Sequence, residues 1–139
     1  MYNKFGQYIN GKWQKSSDQS TYDVFNPATE EVLGKASNAT KTDVDEALKS
    51  AKRGLEIWKK TPPWERSKII RKISTLIRER KEILARWLTL EVGKPFSEGL
   101  GEVGGAADIF EWNAEETKRI FGQIVESRFE NTRMYVKYE

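Results

Sequence analysis

The spacing of the hydrophobic residues changes at Thr42, and this change divides the 139-residue chain into a strand-rich part and a helical part. Before Thr42, apolar and polar residues alternate over short runs, which is typical of half-buried strands. After Thr42, the apolar residues recur every three or four positions, which predicts amphipathic helices. We therefore predict an α+β fold in which residues 1–40 form β-hairpins and residues 42–122 are helical.

Two turn sequences predict two hairpins within the first forty residues. Asn10 and Gly11 both tolerate the positive φ of a type I′ turn, the tightest hairpin connection. In the second turn Pro27 fixes φ, and the side chain of Asn26 is able to bond the turn backbone. The predicted strands are residues 7–9, 12–14, 21–25 and 31–36.

The first predicted helix follows the period change, with Thr42 as its N-cap. Acidic residues in its first turn favour the positive end of the helix dipole. It should end near Lys60, because Pro62 and Pro63 cannot continue a helix. Its apolar face is made of Val44, Ala47, Leu48, Ala51, Leu55 and Trp58.

Two more helices are predicted, followed by a final strand. The second helix starts at Pro63, which suits a first helical turn, and runs unbroken to Gly93. Its apolar stripe is Ile69, Ile70, Ile73, Leu76, Ile77, Ile83, Leu84, Trp87 and Leu88.

The third predicted helix runs over about 96–121. It contains Gly99, Gly101, Gly104 and Gly105, each of which costs up to about 1 kcal/mol against alanine, so we expect a close neighbour. Residues 131–139 alternate as a strand that ends the chain.

The composition removes several kinds of chemistry. The chain has no cysteine and no histidine, so disulfides, thiolate nucleophiles, imidazole bases and the usual zinc ligands are absent. Its 24 basic and 21 acidic residues are interleaved, which is weak support for a nucleic-acid partner. The N-terminus has no apolar run of signal-peptide length, and no stretch approaches the roughly 18 apolar residues of a membrane span. We expect a single-domain cytoplasmic protein with neither a nucleic-acid nor a membrane partner.

Three motifs invite a functional interpretation, and each has a simpler one. Residues 99–104 match the dinucleotide pattern G-x-G-x-x-G, but no buried strand precedes them, so we favour close helix packing.

The second predicted helix is basic, yet interspersed glutamates favour a solvated face over a nucleic-acid surface. Its cations are Arg66, Lys68, Arg71, Lys72, Arg78, Arg80, Lys81 and Arg86. Glu91, Glu98 and Glu102 suggest an acid/base or metal cluster, but capping and salt bridges explain them more simply. We assign no catalytic, cofactor-binding or metal-binding residue.

Several segments, in order and in register, resemble a known family. They are residues 8–13 (YINGKW), 24–34 (VFNPATEEVLG), 43–51, Trp58 with 64–66 (WER), and 88–95 (LTLEVGKP) followed by Glu98 and Glu102. Together they resemble the N-terminal portion of the aldehyde dehydrogenase superfamily. The sequence of residues 88–95 is similar to the corresponding segment in the succinate-semialdehyde dehydrogenase branch of that superfamily. Residues 134–139 resemble the strand that leads into the family's nucleotide-binding sheet.

The resemblance implies an enzyme that oxidises succinic semialdehyde or a similar aliphatic aldehyde. In the family a cysteine thiolate adds to the carbonyl, hydride passes to NAD or NADP, and a glutamate-activated water cleaves the thioester. All of those residues lie downstream of position 139, so the resemblance implies a chain that is inactive alone and holds no cofactor. It also implies a homo-oligomer or a complementary C-terminal chain. The alternative is a stand-alone structural or interaction module, because an open strand edge recruits other chains.

Overall fold

The computed structural model describes residues 6–138, which form three two-stranded antiparallel sheets and four α-helices. The α+β class is confirmed, with four helices where the sequence predicted three. Residues 1–5, used in the signal-peptide argument, and Glu139, the end of the predicted final strand, lie outside the described residues. The elements are β1 Gln7–Ile9, β2 Lys12–Gln14, β3 Thr21–Phe25, β4 Val32–Ser37, α1 Lys41–Trp58, α2 Pro63–Glu79, α3 Lys81–Val92, α4 Phe96–Glu116, β5 Gln123–Glu126 and β6 Arg133–Val136.

Both N-terminal hairpins form as their turn residues predict. Asn10 and Gly11 have φ values of 53° and 77°, the conformation that a type I′ turn requires. In the second turn, the Asn26 side-chain oxygen accepts a hydrogen bond from the Ala28 amide at 2.9 Å. Strand β4 begins and ends one residue later than predicted. Local turn chemistry therefore suffices to place the four strands.

Helix α1 is capped by Thr40, so the prediction of Thr42 as N-cap was wrong. The Thr40 hydroxyl accepts from the Asp43 amide at 3.3 Å, and the Asp43 carboxylate accepts from the Thr40 amide at 2.8 Å, which completes a capping box. Both threonines are followed three residues later by an aspartate, so the local pattern does not choose between them. The loop after β2 decides, because the Ser17 amide donates to the Asp43 carboxylate at 3.2 Å.

We expect Asp43→Asn to lower stability in a pH-dependent way. The Thr40 amide, helped by Ser17, lowers the pKa of Asp43 from 3.8 to about 2 against the opposing effect of burial. A carboxylate with a lowered pKa stabilises the fold above about pH 3.8, and this contribution is lost as the pH falls through 2. The urea midpoints of the wild type and variant should therefore differ at neutral pH and converge below pH 2. Asp45→Asn, at an exposed position of the same helix, is the control; a constant difference from pH 7 to 2 would contradict the assignment.

The second predicted helix is two helices, because the chain leaves helical geometry at Arg80 with φ −108° and ψ 17°. Its ends were predicted correctly: Pro63 occupies the first turn of α2, and Gly93 ends α3 with φ 74°. No glycine or proline marks the break. It occurs within an all-charged run, residues 78–82, that interrupts the apolar stripe, at the point where α3 turns to pack on α4.

Helix α4 is the centre of the packing, with α2 and α3 lying against it. It ends at Glu116 and passes into a 3₁₀ turn over Thr117–Arg119, so it is shorter than the predicted 96–121. Its buried side contributes Val103, Ala107 and Ala114 to the core. Ser74 of α2 is also buried and donates a hydrogen bond to the Ala107 carbonyl at 2.8 Å. The small side chains allow the helices to approach closely.

The chain exposes far more surface than a compact monomer of its size. Its accessible surface is 11068 Å², whereas a folded 16.1 kDa chain typically exposes about 7,400 Å². Among the described residues, the buried hydrophobic side chains are only Ile9, Ala85, Val103, Ala107 and Ala114. Many larger apolar residues are exposed instead. The core is therefore thin, and the surface holds most of the chain's hydrophobic material.

Candidate functional site

The G-x-G-x-x-G motif lies inside helix α4 and packs against α3. A Cβ on Gly99 would lie 3.0 Å from the Ala85 carbonyl oxygen and 3.2 Å from the Thr89 hydroxyl, so Gly99 is needed for close helix approach. Gly101 faces open space. The backbone of a dinucleotide-binding turn must instead be free to approach a pyrophosphate at a helix N-terminus. The expected close neighbour of this helix is α3, which contacts Gly99, whereas Gly101 and Gly105 have no atom within 4 Å of a Cβ.

The three glutamates singled out by the sequence do not come together as a metal site. Glu102 forms an ion pair with Lys94, and Glu98 lies in the first turn of α4, where a negative charge is favoured by the helix dipole. Glu91 lies in α3. Within residues 6–138, no three acidic, histidine or cysteine side chains are arranged to hold a metal ion.

Part of the basic face of α2 is used to hold α4. The Arg71 guanidinium pairs with Glu111 at 3.1 Å and also contacts Glu115. Arg78 pairs with Asp108 at 2.7 Å and with Glu111 at 2.8 Å. These ion pairs lie between helices and leave fewer cations to follow a phosphate backbone.

The C-terminal strand is one half of a hairpin, and the sequence prediction missed its partner. Strand β6 pairs with β5 in the register Ile124 to Tyr135 and Val125 to Met134. The short run Gln123–Glu126 contains two adjacent β-branched residues, Ile124 and Val125, which favour a strand, but the run is too brief to stand out from the preceding helix. The predicted strand over 131–139 is shorter, since β6 covers only Arg133–Val136.

Both faces of the β5–β6 hairpin are apolar and open. Ile124 and Tyr135 are 75% and 60% exposed on one face, while Val125 and Met134 are exposed on the other. An isolated two-stranded hairpin is at best marginally stable in water, and its outer edges carry unpaired backbone groups. The hairpin is thus the most evident surface for binding another polypeptide.

The fold and this surface define an α+β scaffold with open apolar faces. Among the described residues no helix is both long enough and apolar enough to cross a membrane. Residues 13–139 match the model of the aldehyde dehydrogenase family, and the chain belongs to that family. The resemblance seen in the sequence is thereby confirmed.

Relatives and solved structures extend this assignment. The chain is 38% identical to the succinate semialdehyde dehydrogenase of Acinetobacter baylyi over 92% of its own length and 26% of the relative. It is 37% identical to the glutarate-semialdehyde dehydrogenase of Pseudomonas putida, over 93% and 27%. The crystal structure of an NADP-dependent enzyme of E. coli superposes with a TM-score of 0.86 at 36% identity, covering 96% of this chain and 28% of that one. The chain therefore spans about a quarter of the length of the proteins it matches.

Proposed function

We propose that the chain is the N-terminal part of an NAD(P)-dependent aldehyde dehydrogenase, an oxidoreductase acting on aldehyde groups, and that it is inactive alone. The observation that carries the proposal is the family match over residues 13–139 in a chain without any cysteine. A thiolate nucleophile has no substitute among the hydroxyl and carboxylate side chains here, because none of them lies beside an activating imidazole. The scaffold is present, and the nucleophile must come from further polypeptide.

The proposed substrate class is succinic semialdehyde or a similar aliphatic aldehyde. The names of the A. baylyi and P. putida relatives, both semialdehyde dehydrogenases, support this class. The sequence of residues 88–95, which resembles the same branch of the family, also supports this substrate class. In the structure this segment forms the end of α3 and its Gly93 cap.

The cofactor of the complete enzyme is proposed to be NAD or NADP, held by residues outside this chain. The E. coli structure that superposes on the chain is described as NADP-dependent. The residues described here do not fit a dinucleotide cradle: their sheets are antiparallel pairs, and the glycine motif is packed inside α4. Titrating the purified chain with NAD⁺ and NADP⁺ should give no saturable binding at millimolar concentration, and micromolar binding of either would refute this part.

The alternative function is a stand-alone interaction module that self-associates or docks on a complementary chain. The open β5–β6 hairpin is the observation that favours it. Under either function, we also propose that the chain is cytoplasmic and has no nucleic-acid partner. Cell fractionation tests the location, and salt-dependent retention on DNA would contradict the second point.

We expect the hairpin to drive association of the chain. Ile124→Lys with Tyr135→Lys places two charges on one of its open faces, so any assembly through that face should be lost. Sedimentation should show an oligomer for the wild type and a monomer for the double variant. Ile109→Lys, at an equally exposed site on α4, is the control and should leave the oligomer intact. A wild type that stays strictly monomeric at high concentration would contradict self-association.

A further inference from the structure

An open cavity, which we call the junction cavity, lies where α2 ends and α3 begins. Its volume is about 860 Å³, and its walls come from the last turn of α2, the first two turns of α3 and Leu100 of α4. Most of the wall is charged. It carries four cations, Arg78, Arg80, Lys81 and Arg86, and two carboxylates, Glu79 and Glu82. The junction cavity shares no residue with the β5–β6 hairpin.

Most of the cations of the junction cavity have no carboxylate partner. Arg78 is the exception, because it is already paired with Asp108 and Glu111 of α4. No ion pair among residues 6–138 includes any of the other three, which are Arg80, Lys81 and Arg86. The junction cavity therefore gathers cations of the basic face that are not used to hold α4.

The two carboxylates reduce the positive charge of the junction cavity without cancelling it. Glu79 and Glu82 also take part in no ion pair among the described residues, so neither neutralises a particular cation. Three unpaired cations against two unpaired carboxylates leave one positive charge in excess. The start of α3 adds to it, since a helix N-terminus carries a partial positive charge of roughly half a unit.

The first turn of α3 also brings hydrogen-bond donors to the junction cavity. Lys81, Glu82 and Ile83 are the first three residues of the helix, and all three line the cavity. Amides of a first turn have no acceptor within their own helix, and no side chain caps α3. Arg80, at the N-cap position, has no side-chain oxygen that could accept from them. An anion in the cavity is the kind of group that these amides bind.

Two of the unpaired cations are positioned by neighbouring elements. The Arg86 guanidinium lies 5.9 Å from the centre of the Phe96 ring, which is a cation–π distance. The Lys81 ammonium lies along α4, since a Cβ on Gly104 would be 3.3 Å from its Nζ. Side chains that are already placed lose less conformational entropy when a ligand binds. These cations are therefore better suited to holding a compact anion than freely moving surface side chains.

We propose that the junction cavity is a binding site for a chain of two or three phosphate groups. Arg80, Lys81 and Arg86 bind its oxygens, because a guanidinium matches a phosphate with two parallel hydrogen bonds. The first-turn amides of α3 bind its charged terminal phosphate. The pyrophosphate of NAD⁺ or NADP⁺ is esterified at both ends and lacks that terminal group, so no dinucleotide binding is expected here. The site does not depend on the proposed function, because all its residues belong to this chain.

The first test is calorimetric titration of the full chain with inorganic tripolyphosphate at low salt. One equivalent should bind with a sub-millimolar Kd that weakens as salt is added. Arg80→Gln with Lys81→Gln should weaken binding at least about 10-fold, since charge-assisted hydrogen bonds are lost. Lys12→Gln with Lys49→Gln removes two cations from a separate cleft beside α1 and should leave the affinity within about 2-fold. No saturable binding at millimolar concentration, or equal losses in the two variants, would overturn the proposal.

A variant that gains affinity separates a lost site from a lost fold. Glu79→Gln with Glu82→Gln removes both carboxylates from the junction cavity and should tighten tripolyphosphate binding by about 3-fold or more, because like charges no longer repel the ligand. A misfolded chain cannot give this result. Unchanged or weaker binding in this variant would contradict the assigned position of the ligand.

Nuclear magnetic resonance locates the ligand and distinguishes its source. Tripolyphosphate should shift the amide signals of residues 81–83 more than those of α1, and largest shifts in any other element would refute the site. ATP that binds more tightly than tripolyphosphate would identify a nucleoside triphosphate as the source, and equal affinities an inorganic chain. If a DNA duplex bound more tightly than either through Arg80 and Lys81, the ligand would be a nucleic acid and the proposal would be wrong.

Discussion

The purified chain is expected to reduce neither NAD⁺ nor NADP⁺ when supplied with succinic semialdehyde or short aliphatic aldehydes. Aldehyde oxidation through a thioester needs a sulfur nucleophile and a preorganised site for the developing oxyanion, and the chain has no cysteine. Enzymes accelerate their reactions by about 10⁶-fold or more, so the expected difference from a complete family member is the entire catalytic effect. Absorbance at 340 nm with micromolar protein would measure it.

Co-expression with the remaining segment of the A. baylyi enzyme gives the positive arm of this experiment. If the two polypeptides reconstitute the fold, turnover should appear at rates typical of enzymes, about 1 to 10³ per second. The intact A. baylyi enzyme is the control for assay conditions. Turnover that co-purifies with the isolated chain would refute inactivity, whatever the result of the co-expression.

Replacing Gly99 with valine is expected to lower the free energy of unfolding by about 1–3 kcal/mol, the usual cost of overpacking. The new Cβ would lie 3.0 Å from the Ala85 carbonyl oxygen, a backbone atom of α3 that cannot rotate away. Either α3 and α4 must separate or the backbone must shift, and both loosen the centre of a thin core. With a urea m-value of about 2 kcal/mol/M, the midpoint should fall by about 0.5–1.5 M.

Gly101→Val is the matched control for this substitution. It makes the same change two residues later in α4, where a Cβ meets nothing within 4 Å. Its free energy of unfolding should stay within about 0.5 kcal/mol of the wild type. Equal losses in the two variants would contradict the contact with α3 as the cause; helix propensity would not explain them, because valine is a better helix former than glycine.

Features determined by a few neighbouring residues were predicted correctly from the sequence. The turn at Asn10 and Gly11, the helix start at Pro63 and the helix end at Gly93 all depend on backbone geometries that only certain residues favour. The same holds for the family, because its motifs are local strings in a fixed order. The missing nucleophile is also a property of the sequence alone.

Features determined by distant contacts were predicted incorrectly or not at all. Thr40 and Thr42 have equivalent local patterns, and the choice between them depends on Ser17. The break at Arg80 was missed because Ile77 and Leu84, on its two sides, keep the same helical phase, although residues 78–82 between them are all charged. Strand β5 is too short to predict without its partner β6.

The sequence by itself determined the α+β class, the kinship with aldehyde dehydrogenases and the lack of a thiolate, because these depend on residue types and their order. The tertiary structure alone decided which apolar faces are covered. Periodicity shows that Leu48 and Leu55 share a face of α1, but burial depends on what lies opposite. Here the polar side of α1 binds the N-terminal region, so the face that the pattern assigned to a core is exposed.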